Sequence, residues 1–90
     1  MAVDVEASVV RLMRNYRLGA ICESIFYGCL IEVADHCPPE QLWAALPEDA
    51  REGLRAAVLL EVEWAQDGGL TSTPGYRRLH AWLSAGDVNA

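Results

Sequence analysis

Three cysteines and two histidines are the residues of this 90-residue chain whose side chains most often bind metal ions. Cys22 and Cys29 are seven residues apart in an apolar stretch with helical spacing, which separates their Cα atoms by about 10 Å. Zinc holds its ligands at about 2.0–2.3 Å, so one straight helix cannot bring both thiols to the same ion. The sequence contains no Cys-x-x-Cys pair. We therefore expect no metal, no cofactor and no disulfide framework, but reduced, buried thiols at Cys22, Cys29 and Cys37.

The consecutive residues Asp35, His36 and Cys37 include the types found in cysteine-dependent catalytic sites. Such sites are assembled in space, whereas neighbouring residues of one chain point in different directions. The sequence also contains no nucleophile elbow and no phosphate-binding glycine loop. It therefore predicts a protein that is not an enzyme.

Glu61 interrupts the apolar stripe of a predicted helix over residues 47–66. A carboxylate in that position must be paired, protonated or open to water, because an unpaired buried charge is very costly. We expect a structural contact, with His80 or a helix-one arginine among the candidate partners. The alternative is a ligand pocket between the second and third helices, with Glu61 as its polar determinant and Trp64 as a wall.

The elements that position these residues are predicted to be helices, since apolar residues recur every three to four positions and no segment alternates as a strand does. The sequence predicts an all-α protein, a single domain over residues 1–90, with four main helices and one short helical turn. The helices are expected at 4–17, 20–35, 47–66 and 74–84, and the short turn at 39–46. We expect Gly19 to separate the first two helices, although one lone glycine inside a continuous helix would cost only about 1 kcal/mol.

The second predicted helix is apolar on two sides. Its main face runs from Cys22 to Cys37, and Tyr27 and Ile31 lie on the opposite side with Gly28. Such a helix is central to a fold or buried in an interface. Another helix of the same chain is one candidate cover. The other is a second copy or another protein, in which case Tyr27 and Ile31 make the apolar contacts, with Glu32 and Asp35 as the polar rim.

Charge is unevenly distributed along the chain, whose formal net charge is −6. Residues 21–70 hold ten acidic residues and two arginines, whereas five of the seven arginines lie in the terminal segments. Intramolecular pairing between these segments is the favoured interpretation. The alternative is an acidic surface that binds a basic partner, where charge mainly raises the association rate.

The composition excludes several partners. An acidic chain with clustered acids and no lysine is unlike a nucleic-acid-binding protein, and no apolar run reaches the roughly 18 residues that span a membrane. The N-terminus is acidic where a signal peptide is basic, so we expect a cytoplasmic protein. The sequence predicts a small acidic interaction module that binds and regulates another protein as a homodimer. A small-ligand-binding helical domain is the alternative.

Overall fold

The computed structural model describes residues 4–86, and these residues form helices and no strand. The predicted all-α class is confirmed. Six α-helices and one 3-10 turn follow in order: α1 (Val5–Arg17), α2 (Glu23–Val33), α3 (Pro39–Ala45), α4 (Glu48–Leu59), α5 (Glu63–Asp67), the 3-10 turn (Leu70–Ser72) and α6 (Pro74–Gly86).

α1 begins and ends as the sequence predicts. The Asp4 carboxylate accepts a hydrogen bond from the Ala7 N–H at 3.1 Å, which satisfies one of the free donors of the first turn. At the other end Gly19 has a φ of 78°, and the Ala20 N–H bonds back to the Asn15 carbonyl at 2.9 Å. This left-handed C-terminal motif separates α1 from α2, so the predicted break is confirmed. Because the motif includes Ala20, α2 begins at Glu23 rather than at residue 20.

The predicted long helix over residues 47–66 is wrong, because the chain divides there into α4 and α5. Glu61 has a φ of 49°, and within residues 4–86 it is the one non-glycine residue with a positive φ. Its N–H bonds to the Val58 carbonyl and the Val62 N–H bonds to the Ala57 carbonyl, the same pattern that ends α1. The Gln66 side chain also donates to the Glu61 carbonyl. A glutamate thus occupies the position that glycine usually takes.

One hydrophobic core lies between the helices. Its largest fully buried side chains come from α2, α3, α4 and α6: Phe26, Leu30, Ile31, Leu42, Leu54, Val58 and Leu79. α1 adds Val5, Val9 and Met13 from one stripe, as the spacing predicts. The Tyr16 ring stacks on Phe26 with the ring centres 4.5 Å apart. α2 packs against α1, α4 and α6, and this central position follows from its apolar residues on two sides.

The start of α6 is held against the end of α2. The Gly75 N–H donates to the Asp35 carboxylate at 2.6 Å, and the Arg78 guanidinium donates to the Ala34 carbonyl at 2.8 Å. A Cβ at Gly75 would lie 2.5 Å from the Ile31 carbonyl oxygen, so only glycine allows this approach. The two hydrogen bonds therefore fix the helix that covers the C-terminal half of α2.

Candidate functional site

The sequence predicted Tyr27 and Ile31 as candidate contacts for a partner, but both side chains are buried in the core of this chain. Their exposed fractions are 6% and 0%. Tyr27 packs edge-to-face on Phe26, and its hydroxyl lies against Gly53 of α4, where a Cβ would overlap it. Burial raises the pKa of the Tyr27 hydroxyl, with smaller contributions from Tyr16 and from nearby carboxylates. The chain itself covers this second face of α2, which corrects the expectation of exposed contacts.

Glu32 and Asp35, the predicted polar rim, border a groove of about 480 Å³ between α1 and α2. Arg11 and Cys29 line the same groove. Glu32 is exposed, whereas Asp35 is half-buried and accepts the hydrogen bond from Gly75. Asp35 thus has a structural role at the start of α6, and Glu32 alone of this pair presents a fully exposed carboxylate.

Glu61 lies at the surface rather than in a buried stripe. Its carboxylate is 3.6 Å from the His80 ring, and both side chains are substantially exposed to water. The contact with His80 agrees with one of the expected partners. Both residues border a cavity of about 230 Å³ next to Tyr76, whose hydroxyl donates to the Val58 carbonyl at 2.7 Å. Trp64 packs partly buried against the core and does not line this cavity, so the structure does not unite Glu61 and Trp64 in one pocket.

The cysteines occupy three different environments. Cys37 is buried, Cys29 is half-buried, and burial raises the pKa of both thiols. Cys22 is exposed just before α2, which corrects the expectation of a third buried thiol. A hydrogen bond with Ser24 lowers the pKa of the Cys22 thiol. Among residues 4–86, no three His, Cys, Asp or Glu side chains lie close enough to hold a metal ion.

Two exposed apolar side chains that were not predicted from the sequence lie on the outer side and at the end of α1; Ile25 and Leu60 are exposed elsewhere. Val10 is 63% exposed and Leu18 is 74% exposed. They border a groove of about 410 Å³ between α1 and the α3–α4 turn, together with Arg14 and Arg17. The sequence does indicate this exposure, because Val10 and Leu18 do not lie on the buried stripe of Val5, Val9 and Met13.

The expected pairing between the acidic middle of the chain and the terminal arginines is absent from the described residues. Over residues 4–86, the one contact within 4.0 Å between oppositely charged side-chain types is Glu61–His80, and it involves no arginine. Arg51 and Arg78 donate to the backbone carbonyls of Trp43 and Ala34. The arginines of α1 are exposed, and none of them lies within 4.0 Å of a carboxylate of residues 4–86. The favoured interpretation from the sequence is therefore wrong.

The fold and this surface define a small all-α protein with exposed charges of both signs. This sequence matches no protein-family model, and neither a curated protein nor a solved structure is significantly similar to it. No helix within the described part of the chain combines the length and the apolar character that crossing a bilayer requires. A functional proposal must therefore rest on the surface chemistry.

Proposed function

We propose that this chain is a small acidic protein–protein interaction module that binds and regulates another protein in the cytoplasm, and that it acts as a homodimer. The observation that carries the proposal is the absence of arginine–carboxylate pairs within residues 4–86. Charged side chains that face water without an intramolecular partner are available to a second molecule, and complementary charge raises the rate of association.

The acidic surface is the proposed binding site for the regulated protein, which would be basic. Nine of the ten acidic side chains in residues 21–70 are exposed. Glu23 of α2 and Asp49 of α4 both raise the pKa of Tyr27, so the first turns of these two helices bring their charges to one region. Glu48 and Glu52 extend this region along α4. We call these four residues, Glu23, Glu48, Asp49 and Glu52, the acidic face.

The test begins with proteins that co-purify with the chain from native cells and are identified by mass spectrometry. Affinity of the purified partner is then measured for wild type and for the double variant Glu48→Gln/Glu52→Gln. We expect about a tenfold loss of affinity for the removal of two interface charges, mainly through a slower association rate. The partner's own activity, titrated with the chain, tests regulation.

The matched control is Glu63→Gln/Asp67→Asn, which removes two exposed charges with the same four-residue spacing from α5. This control should bind like wild type. Equal binding by all three proteins, or a partner whose activity does not change, would contradict the proposal.

The alternative function, a small-ligand-binding domain, has weaker support. Its polar residue Glu61 does face a cavity with His80, but the volume of about 230 Å³ lies below the range of about 300–1,000 Å³ that is usual for ligand pockets. The proposed apolar wall, Trp64, does not line this cavity. The particular pocket expected for this alternative, with Glu61 and Trp64 together, therefore finds no support in these contacts.

A further inference from the structure

The exposed side of α1 carries a row of three residues whose charges follow a simple order. Glu6, Val10 and Arg14 are spaced four residues apart and are all exposed. They line one shallow depression of the surface together with Asp4, Ala7 and Arg11, which places Glu6, Val10 and Arg14 on the same side of the helix. We call these three residues the outer row of α1. It runs from an acid through an apolar side chain to a base.

Neither charge of the outer row has a partner on its own helix. On a helix, residues three and four positions apart are neighbours. Glu6 is followed at these positions by Val9 and Val10, and Arg14 is preceded by Val10 and Arg11. Within residues 4–86 no opposite charge from another element lies within 4.0 Å of either side chain. Among the described residues the outer row therefore presents two charges without a partner, about 6 Å to either side of Val10 along the helix axis.

We propose that a second copy of this chain docks on the outer row, with the two α1 helices antiparallel and a two-fold axis next to Val10. This inference rests on the proposed function, since it assigns the surface through which the homodimer forms. In this arrangement Glu6 of each copy faces Arg14 of the other, and the two Val10 side chains meet between the ion pairs. Such a contact is isologous and closed, as most homodimers are.

The order of the charges selects this occupant and this direction. A parallel pair of α1 helices in register would place acid against acid and base against base, which is unfavourable. The antiparallel pair satisfies both charges of both copies at once. The adjoining groove, bordered by Leu18 and Met13, adds apolar surface next to the row.

The expected dimer is weak. The contact centres on one row of one 13-residue helix, and interfaces below about 1,200 Å² belong to the transient class. Exposed ion pairs are screened by salt, so the dissociation constant should rise with ionic strength. The acidic face belongs to α2 and α4, which contribute no residue to the outer row.

The test uses two variants that make the outer row uniform in charge. Glu6→Arg gives a row with two bases, and Arg14→Glu gives a row with two acids. Sedimentation velocity at low salt should show that the dissociation constant for self-association is about tenfold higher or more for each variant alone. A mixture of the two should form a heterodimer, and the double variant Glu6→Arg/Arg14→Glu should dimerise like wild type.

Glu63→Arg and Arg55→Glu are the matched controls, since they make the same charge changes at exposed positions outside α1. Both should dimerise like wild type, and circular dichroism verifies that every variant is folded. A wild-type chain that stays monomeric at millimolar concentration would overturn the inference, as would single variants that dimerise normally or a mixture that forms no heterodimer. Partner binding that depends on Glu48 and Glu52 in a strictly monomeric chain would overturn this inference together with the homodimer, and would leave the regulatory interaction with a partner standing.

Discussion

The second face of α2, which carries Tyr27 and Ile31, is buried, whereas the outer row of α1 is exposed. This is the opposite of what the two sequences suggest. Tyr27 and Ile31 were the candidates for a contact surface, and the chain covers both of them. Val10 belongs to a helix with one clear buried stripe, and this residue lies in water between two unpaired charges. Apolar character alone therefore does not identify an interface. What separates the two regions is whether the rest of the chain can approach closely enough to cover them.

Glycines decide that approach for α2. Gly53 on α4 leaves room for the Tyr27 hydroxyl, and Gly75 lets the start of α6 contact the Ile31 carbonyl. The outer row of α1 has no such neighbour within the described chain. Substitutions in the two regions should therefore change stability or association by amounts that differ in sign and size.

The largest effect is expected for a charge placed in the second face of α2. Ile31→Asp buries an unpaired carboxylate at a position with 0% exposure. We expect a loss of about 3–5 kcal/mol, a large part of the stability of a typical small domain. Circular dichroism during urea titration measures this loss. A folded Ile31→Asp variant with wild-type stability would show that the second face is not buried in solution.

Glycine-to-alanine changes compare close approach with open space. Gly75→Ala places a Cβ against the Ile31 carbonyl and the Asp35 backbone, and we expect a loss of about 1–3 kcal/mol from this overlap. Gly28→Ala, within α2, meets only Leu70 at 3.6 Å and should instead raise stability by about 0.5–1 kcal/mol through helix propensity. Thermal melts of both variants give the comparison. Losses of equal size would contradict the packing described for α6.

The turns that end α1 and α4 provide a second pair of substitutions, for which we expect smaller changes in stability, of opposite sign. Gly19 and Glu61 share a positive φ and the same hydrogen-bond pattern. Gly19→Ala should lower the free energy of unfolding by about 1 kcal/mol, because a side chain is strained in the left-handed region. Glu61→Gly should raise it by a similar amount, less the small contribution of the exposed contact with His80. Chemical denaturation measures both, and a destabilised Glu61→Gly variant would mean that the His80 contact outweighs the backbone strain.

The smallest effect concerns alkaline pH. Burial raises the pKa of Tyr27 above its ordinary value of 10.0. The unfolded chain therefore releases this proton first, so the stability that the neutral hydroxyl provides is complete below pH 10 and is lost as the pH rises through the folded-state pKa. Denaturant titrations at increasing pH should show a gentler loss for Tyr27→Phe than for wild type. Parallel curves for the two proteins would argue against a buried Tyr27 hydroxyl.

Much of the fold follows from local sequence patterns. The cap at Asp4, the buried stripe of α1 and the glycine turn after Leu18 are all determined by residues within one or two helical turns. The break at Glu61 carries no such signal, since a glutamate rarely adopts a left-handed backbone.

The candidate surface was harder to predict than the fold. The burial of Tyr27 depends on Gly53, which lies 26 positions further along the chain. The burial of Ile31 depends on the close packing of α6 at Gly75. The pairing of charges likewise depends on where α1 lies relative to α2 and α4. Sequence spacing identified the acids and the arginines, but only the three-dimensional arrangement shows that they do not meet within residues 4–86.

The most direct measurement compares the association of wild type with that of Val10→Asp by sedimentation equilibrium at low salt. Val10 is exposed, so Val10→Asp should change the unfolding free energy by no more than about 0.5 kcal/mol. It places two carboxylates next to the proposed two-fold axis and should leave the chain folded and monomeric at concentrations where wild type dimerises. A Val10→Asp chain that dimerises as tightly as wild type would contradict the assignment of the outer face of α1 as the self-association surface.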